Sequence, residues 1–449
     1  CLQIDKYIYD NIKFYSLCCT KKMDQNTIMQ TKFNMLKFLD LDRNSNKNIN
    51  NVNHLRDTLE ILKCSSESKI DQNSISQLKY LKELHCCGNE KINNVNHLNN
   101  TLEVLKCASE RGIDQNGISN LKYLKILECM SNNEINKVNH LADTLIGLDC
   151  GYECEIDQNG ISELKYLKRL DCDDNAKICC VNHLANTLVK LNCGLDCGIG
   201  QNSIIRLTCL EMLGCCHNKK INNVNHLAQI LVNLDCGCYC GIDQYGISQL
   251  KKLKVLICRD NINIVDVNHL SDTLEDLHCC FRCGINQNGI SKLQHVKKLN
   301  CDTNYKIIDV NHLSDSLEEL YCGNECGIDQ YGISKLKYIK KLNCDFNSKI
   351  NNVNHLSNTL EILLCGYECG IDQDGISGLQ YVKTLSCSGN SKIVNVNHLS
   401  DTLEELHCHN ACGIDQYGIS KLKCLKRLSK MYNNKIDFKE NVSYEYCIY

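Results

Sequence analysis

The chain is 449 residues long; 43% of the residues are hydrophobic, 23% are charged and 36 are cysteines. Its 50 Lys and Arg face 53 Asp and Glu, a net charge of -3, which excludes the broad basic field that holds a nucleic-acid backbone. No run of about 18 apolar residues could cross a bilayer, and the first residues lack the basic and apolar regions of a signal peptide. We therefore expect a cytoplasmic protein with neither a nucleic-acid nor a membrane partner.

Residues 1–50 lack the regularity of the rest of the chain. Ile8, Ile12 and Leu17 are followed by Leu36 and Leu39 at uneven spacing, and extra residues are inserted before residue 49. Terminal repeats of a stacked protein must shield its core from water and are therefore atypical. We predict an N-terminal cap with irregular first repeats over residues 1–50.

Residues 51–437 repeat with a fixed period of 43. The tetrapeptide Val-Asn-His-Leu returns nine times without an insertion, and its histidines are His54, His97, His140, His183, His226, His269, His312, His355 and His398. A fixed period of this length indicates a stacked repeat architecture. We predict a solenoid of nine 43-residue double repeats over residues 51–437 and a C-terminal cap over residues 438–449.

Each double repeat contains two related halves, of 21 and 22 residues. Leu105 and Cys107 in one half, like Leu127 and Cys129 in the next, lie two positions apart, so both side chains share one face of an extended segment. Both halves fit L-x-x-L-x-(L/C)-x-x-(N/C)-x-x-(L/I), which resembles the leucine-rich repeat. The resemblance implies an α/β repeat fold: about twenty turns of 21–22 residues, one parallel concave sheet, and a convex side of 3₁₀, turn or short helical segments.

Three further positions have predicted structural roles. An asparagine in second halves, such as Asn132, resembles the ladder that hydrogen-bonds the backbone where each strand turns, whereas first halves place residues such as Glu153 there and interrupt it. Gly117, in Asp-Gln-x-Gly-Ile-Ser, is expected to supply a positive φ, and Ser119 a helix N-cap. Because equivalent histidines are about 10 Å apart, we expect them to bind backbone groups and not to share a zinc ion.

The cysteines form two periodic series. Seventeen occupy the slot of Cys107 and Cys129, and seven more follow at the fourth position: Cys154, Cys197, Cys240, Cys283, Cys326, Cys369 and Cys412. Reduced core thiols are the interpretation we favour, because cysteine is a small and frequently buried residue. A thiolate metal site and disulfides are the alternatives; we predict no cofactor and no metal.

The sequence contains no H-E-x-x-H, no glycine-rich phosphate loop and no nucleophile elbow, so we predict a non-enzymatic protein. The positions that vary between repeats flank each buried strand leucine on the concave face. Drift at unconstrained, solvated positions is one explanation; exposed apolar residues such as Ile257 favour a binding face for a protein partner. The candidate partner-binding residues are Arg169, Asp171, Met212, Asp235, Val255, Ile257, Asp276, His278, Glu319, Tyr321, Lys341, Ile362, Leu364, Glu405 and His407.

The repeated phrases His-Leu-x-x-Thr-Leu-Glu-x-Leu-x-Cys and Cys-Gly-Ile-Asp-Gln are similar to the cysteine-rich leucine-rich repeat proteins of giant viruses of amoebae. That resemblance implies a viral protein in the host cytoplasm that binds a host cytosolic protein. Separately, we expect the chain to be a monomer. Two alternatives remain. The chain could be the substrate-recognition part of a ubiquitin ligase adaptor, which needs an F-box-like segment ahead of Cys1, or a thiol-rich metal-binding or redox protein.

Overall fold

The computed structural model describes residues 15–19, 23–42 and 47–437. The predicted C-terminal cap, residues 438–449, and parts of the predicted N-terminal cap lie outside these ranges. The chain divides into two compact units, Cys1–Ile221 and Asn222–Tyr449. The domain boundaries at residues 50 and 437 stay predictions.

In the first unit the described residues form ten strands of three residues each: β1 (Ser16–Cys18), β2 (Phe38–Asp40), β3 (Ile61–Lys63), β4 (Glu83–His85), β5 (Val104–Lys106), β6 (Ile126–Glu128), β7 (Gly147–Asp149), β8 (Arg169–Asp171), β9 (Lys190–Asn192) and β10 (Met212–Gly214). Each strand pairs in parallel with the next one along the chain. The register aligns the central leucines, as in Leu105 opposite Leu127.

The second unit repeats this arrangement with β11 (Asn233–Asp235), β12 (Val255–Ile257), β13 (Asp276–His278), β14 (Lys298–Asn300), β15 (Glu319–Tyr321), β16 (Lys341–Asn343), β17 (Ile362–Leu364), β18 (Thr384–Ser386), β19 (Glu405–His407) and β20 (Arg427–Ser429). These strands also pair in parallel in chain order. One strand per turn, paired in this register, confirms the predicted leucine-rich repeat solenoid.

The core lies behind each strand. The central leucine and the cysteine after the strand point the same way and are almost completely buried, as Leu299 and Cys301 are at 1% and 0% exposure. The first and third residues of each strand point outward, because successive side chains of a strand alternate between its two faces. This outer face of the sheet therefore carries the residues that vary between repeats.

Short helices on the other side connect the strands. The α-helices are α1 (Gln25–Ile28), α2 (Gln72–Ile75), α3 (Gln115–Ile118), α4 (Gln201–Ile204), α5 (Gln244–Ile247), α6 (Gln287–Ile290) and α7 (Gln373–Ile376). The 3₁₀ helices are Thr31–Phe33, Asn53–Leu55, Asn96–Leu98, Asn139–Leu141, Asn159–Ile161, Asn182–Leu184, Asn225–Leu227, Asn268–Leu270, Asn311–Leu313, Tyr331–Ile333, Asn354–Leu356, Asn397–Leu399 and Tyr417–Ile419. No described helix exceeds four residues, as the 21- or 22-residue turn predicts.

The N-cap prediction was wrong. Asp114 caps α3, because its Oδ1 accepts a hydrogen bond from the Gly117 N–H at 2.7 Å. Ser119 lies at the other end of the helix, where its hydroxyl donates to the Asn116 carbonyl at 2.9 Å. An aspartate oxygen can satisfy the free N–H groups of the first helical turn, and the Asp-Gln pair places it there in most repeats.

The glycine prediction was also wrong in its reason. Gly117 has no positive φ; instead, a Cβ there would lie 2.2 Å from the Asn93 carbonyl oxygen of the preceding turn. Ser74 and Ser203 occupy the same position in two other repeats, and their hydroxyls donate to the equivalent carbonyls of Asn50 and Cys179. The position therefore holds either glycine, which leaves room for the neighbouring carbonyl, or serine, whose hydroxyl donates a hydrogen bond to that carbonyl.

The asparagine ladder is confirmed. Asn304 is 1% exposed; its Nδ2 donates to the carbonyls of Cys279 at 2.8 Å and Ile285 at 3.1 Å, and its Oδ1 accepts from the Lys306 N–H at 3.1 Å. Asn433 makes the same contacts in the last described turn. Each amide thus joins two consecutive turns through backbone groups that would otherwise be buried without partners.

Seven of the nine first halves, from the repeat of Cys154 to that of Cys412, fill the ladder position with a buried thiol. Glu153, which replaces the asparagine in sequence, points to solvent, and the next residue, Cys154, is 1% exposed in the core. Tyr152 and Glu153 both adopt left-handed backbone conformations, with φ of 46° and 56°, and this turns the chain so that Cys154 faces inward. From Asn132 to Asn433 the ladder therefore alternates between an amide and a sulfur.

The repeated histidines bind backbone, as predicted. His312 Nε2 lies 3.0 Å from the carbonyl of Ile290 at the end of α6, and since a carbonyl can only accept, the ring donates. Seven equivalent histidines make the same contact. The pKa of His312 is lowered, chiefly because the half-buried ring is desolvated.

Candidate functional site

All fifteen predicted partner-binding residues lie at the first or third position of a strand, on the outer face. In the first unit these are Arg169 and Asp171 of β8 and Met212 of β10. In the second unit they are Asp235 of β11, Val255 and Ile257 of β12, Asp276 and His278 of β13, Glu319 and Tyr321 of β15, Lys341 of β16, Ile362 and Leu364 of β17, and Glu405 and His407 of β19.

Several of these residues pair with one another in the second unit. Glu319 receives the Lys298 ammonium at 2.8 Å, and Lys341 Nζ lies 5.1 Å from the centre of the Tyr321 ring. His278 and Asp276 approach to 3.0 Å within β13. The charges in these pairs are already partly neutralised within the chain, so they contribute less to the affinity for a partner.

Most apolar residues of the predicted set are less exposed than expected; Met212, at 37% exposure, is the exception. Val255, Ile257, Tyr321, Ile362 and Leu364 are all half-buried, not exposed. Neighbouring strands are only about 4.8 Å apart, so side chains on adjacent strands cover one another's flanks. These residues present edges and tips to a partner instead of whole side chains.

A groove of about 330 Å³ opens on the outer face of the first unit, between β5 and β9. Its side-chain lining comes from Val104, Lys106, Ile126, Glu128, Asp149, Arg169, Asp171 and Lys190. Arg169 and Asp171 are therefore the two predicted site residues that the structure places in a cavity.

Gly147, at the first position of β7, forms the floor of this groove. A Cβ at Gly147 would find its nearest neighbours at 3.6 Å, from Ile126, and at 3.7 Å, from Arg169, which are ordinary contacts. Packing therefore does not require glycine here, in contrast to Gly117. The missing side chain leaves a notch between the flanking side chains of β6 and β8.

Two of the three carboxylates that line the groove, Asp149 and Asp171, have no ion-pair partner among the described residues. Asp149 accepts a hydrogen bond from the Gly151 N–H at 3.3 Å, and Asp171 accepts one from Asn192 Nδ2 at 2.6 Å. Burial, and then the negative charge of Asp171, raise the pKa of Asp149 to about 6. Among the described residues neither carboxylate has a basic side chain within 4 Å, so both remain available to a cationic group.

Cations without ion-pair partners stand beside these carboxylates. Arg169 is exposed, and neither it nor Lys190 pairs with an acidic side chain among the residues that the structure describes. On the opposite wall, by contrast, Lys106 pairs with Glu128 at 2.7 Å. The groove thus offers separate sites for a positive and a negative group.

A ladder of ion pairs runs along the residues that precede the strands, and it is interrupted next to the groove. Glu103 and Lys125 pair at 2.7 Å, but the positions that follow are Ile146, Lys168 and Val189. Lys168 is exposed and, within the described ranges, has no carboxylate partner. In the second unit, Val232 precedes β11, and the alternation is regular from Lys254 onward. Glu275 lies between Lys254 and Lys297, and the pairs Glu318–Lys340, Glu361–Lys383 and Glu404–Lys426 follow.

Gly147 was not among the predicted site residues, because these were chosen by the chemistry of their outward side chains and glycine has none. The available signal was a departure from the repeat: Thr-Leu-Ile-Gly-Leu at residues 144–148 replaces the usual Thr-Leu-Glu-x-Leu. One segment thereby loses both the glutamate of the ion-pair ladder and the outward side chain of β7.

Cysteine sulfurs of the described core lie close together in pairs, as Cys301 and Cys326 do at 3.6 Å. No described helix is long and apolar enough to span a membrane.

No family model matches the chain, and no curated protein matches it. Among solved structures, it is similar to TLR13 in a complex with ssRNA13 (19% identity, TM-score 0.44), covering 96% of this chain and 64% of that one. It is also similar to an internalin of Listeria monocytogenes (18%, 0.35, covering 80% and 88%) and to a leucine-rich repeat protein of Leptospira interrogans (18%, 0.37, covering 91% and 95%). The leucine-rich repeat assignment itself follows from the strand register and the ladders described above.

Proposed function

We propose that the protein is a non-enzymatic interaction scaffold whose protein partner binds the outer face of the first unit, centred on the groove above Gly147. The observation that supports this most is the coincidence of three departures from the repeat in one place. A notch that packing does not require, carboxylates without cationic partners and cations without carboxylates all occur between β6 and β9.

The chemistry of the groove specifies the partner surface. Asp149 and Asp171 suit a lysine or arginine side chain inserted over Gly147, and Arg169 suits a carboxylate beside it. A partly desolvated charge pair contributes more to specificity than an exposed one, and a side chain that fills a pocket is a typical interface anchor. The face around the groove is formed by paired parallel strands before any partner binds, which reduces the ordering cost of association.

Three finer points belong to the same proposal. On its resemblance to the proteins of giant viruses of amoebae, the chain acts in the host cytoplasm and its partner is a host cytosolic protein. The chain acts as a monomer. The patch of Glu319, Tyr321 and Lys341 in the second unit is a secondary contact. No observation in the described residues favours a ubiquitin ligase adaptor.

Lysine acetylation in the purified complex tests this placement. The partner is first recovered from an amoebal lysate with the full chain, identified and purified. Lys168 and Lys190 are expected to lose reactivity in the complex, because they border the groove, while Lys122, exposed on the helical side of the same unit, keeps it. Unchanged reactivity at Lys168 and Lys190, with protection elsewhere, would place the partner on another surface.

A further inference from the structure

The core contains a repeated pair of cysteines that the interaction function does not use. In each pair, the cysteine after a second-half strand faces the cysteine of the next first half, 25 residues later. The sulfur–sulfur distances are 4.0 Å for Cys129–Cys154, 3.6 Å for Cys172–Cys197, 3.6 Å for Cys258–Cys283, 3.6 Å for Cys301–Cys326, 3.7 Å for Cys344–Cys369 and 3.6 Å for Cys387–Cys412.

Each pair has one sulfur that its surroundings prepare to be a thiolate. The Cys301 and Cys326 sulfurs lie within hydrogen-bond distance of each other, and this contact lowers the pKa of Cys326 and raises that of Cys301. The backbone N–H of Ile328 also donates to the Cys326 sulfur, and Lys349 Nζ donates to the Cys326 carbonyl at 3.2 Å. Donors and a nearby ammonium group favour the ionised sulfur even though it is buried.

The same surroundings recur at the other pairs. A lysine ammonium donates to the carbonyl of the second cysteine in four further cases: Lys220 to Cys197 at 2.9 Å, Lys306 to Cys283 at 3.2 Å, Lys392 to Cys369 at 3.3 Å and Lys435 to Cys412 at 3.3 Å. Lys177 acts on Cys154 through its charge. An anionic site formed at any pair therefore has a compensating positive charge close by.

We propose that each of these pairs is a two-coordinate site for a soft monovalent cation of the Cu(I) type. Thiolates select soft metals, whereas zinc takes four ligands in a structural site and finds only two here. Binding replaces the two thiol protons with one cation, giving a bis-thiolate of charge -1 and releasing two protons, with no change of oxidation state. No oxidant or reductant is needed.

Geometry favours a metal over a disulfide at these pairs. With metal–sulfur bonds of about 2.3 Å, a linear site holds its sulfurs about 4.6 Å apart, so each pair opens by roughly 1 Å or less. A disulfide of about 2.05 Å would require the sulfurs to close by about 1.6 Å between two packed turns. The sulfurs therefore move less to bind a metal ion than to form a disulfide.

The first test counts metal ions on the full chain under anaerobic conditions. Exposed thiols, such as Cys18 and Cys179, are first blocked with N-ethylmaleimide in the native state. Cu(I) is then added and excess metal removed with a Cu(I) chelator. At least six tightly held ions per chain are expected, and retention of none would overturn the proposal.

Variants assign the ions to the pairs. Cys326→Ser and Cys301→Ser are each expected to lower the stoichiometry by one ion. The matched control is Cys86→Ser: Cys86 occupies the same ladder position and is 3% exposed, but the residue 25 positions later is Arg111, so it has no partner sulfur. An undiminished count in Cys326→Ser, or an equal loss in Cys86→Ser, would contradict the assignment.

X-ray absorption spectroscopy of the copper-loaded wild-type protein measures the coordination number of the copper without any variant. Two sulfur neighbours per copper are expected, with no second copper within about 3 Å, because successive pairs are two turns, or about 10 Å, apart. Three or four sulfurs, or a short copper–copper distance, would indicate a cluster and overturn the two-coordinate site. A Cys301–Cys326 disulfide in protein isolated without reductant would assign the pair to redox chemistry instead.

Discussion

Single residues in this protein are recognisable by what they hydrogen-bond, and the histidines illustrate this best. His312 looks like a metal ligand in the sequence, yet its ring donates to the carbonyl that ends α6. A half-buried carbonyl that loses its donor costs about 1–3 kcal/mol. The period alone could predict a structural histidine, because residues two turns apart cannot share an ion.

Replacement of His312 by alanine should therefore lower the free energy of unfolding by about 1 kcal/mol at pH 7.5. The folded-state pKa of His312 is lowered, so its contribution is present above the unfolded value of 6.5 and lost as the pH falls below it. Urea denaturation at pH 7.5 and 5.5 should show a smaller loss at the lower pH. His295→Ala, at an exposed position, serves as the control; an equal loss there would refute the role of the hydrogen bond.

Asp149 should show the opposite pH dependence. Its folded-state pKa of about 6 exceeds the ordinary 3.8, so the folded state prefers the proton and ionisation destabilises it as the pH rises through this window. Asp149→Asn should raise the free energy of unfolding by about 1 kcal/mol at pH 7.5, and by nothing below pH 4. Denaturation of the variant beside exposed Asp143→Asn measures the difference; equal behaviour of the two would contradict the buried, like-charged environment.

At the level of the element, each turn depends on contacts with the turn before it. The close approach of Gly332 to Ile308, whose carbonyl oxygen would lie 2.2 Å from an added Cβ, links two consecutive turns. The sequence predicted one strand and one short helix per turn correctly, because leucine spacing and turn length determine both. The sequence could not predict why the glycine is needed, because the repeat length does not reveal how closely the backbones of two consecutive turns approach.

Two substitutions at Gly332 distinguish the explanations. Gly332→Ala should destabilise the protein by about 2 kcal/mol, because the methyl group collides with the Ile308 carbonyl. Gly332→Ser should recover roughly half of that loss, since its hydroxyl can donate to this carbonyl as Ser74 does to Asn50. Thermal unfolding monitored by circular dichroism gives both values. If serine proves as damaging as alanine, the hydrogen-bond explanation is wrong.

For the whole molecule, the relevant unit is the double repeat, because amide and thiol rungs alternate, as do Glu and Lys in the ladder that precedes the strands. The repeat therefore predicted the architecture well, from His54 to His398. The repeat could not predict the site in the same way. Gly147 contributes to it by having no outward side chain, and Ile146 by replacing the glutamate of the ion-pair ladder. Regular positions explain the fold, and departures from them indicate the site.

Deletions of different length test this alternation. Removing residues 301–343, one complete double repeat, should leave a folded chain with a similar melting temperature, because stacked repeats depend on nearest neighbours. Removing residues 301–321 alone should cost several degrees more, since it places Lys297 next to Lys340 and removes both Asn304 and the partner of Cys326. Equal melting temperatures for the two deletions would contradict a double-repeat unit.

We expect the partner to insert a side chain over Gly147, and a binding titration with a variant of this residue tests the insertion. Gly147→Gln fills the notch without a close contact at its Cβ, and Thr384→Gln places the same side chain at the first position of β18 in the second unit. Calorimetric titration of the purified partner should show at least about a tenfold weaker affinity for Gly147→Gln, or about 1.4 kcal/mol, and wild-type affinity for Thr384→Gln. Wild-type affinity of folded Gly147→Gln would contradict the account.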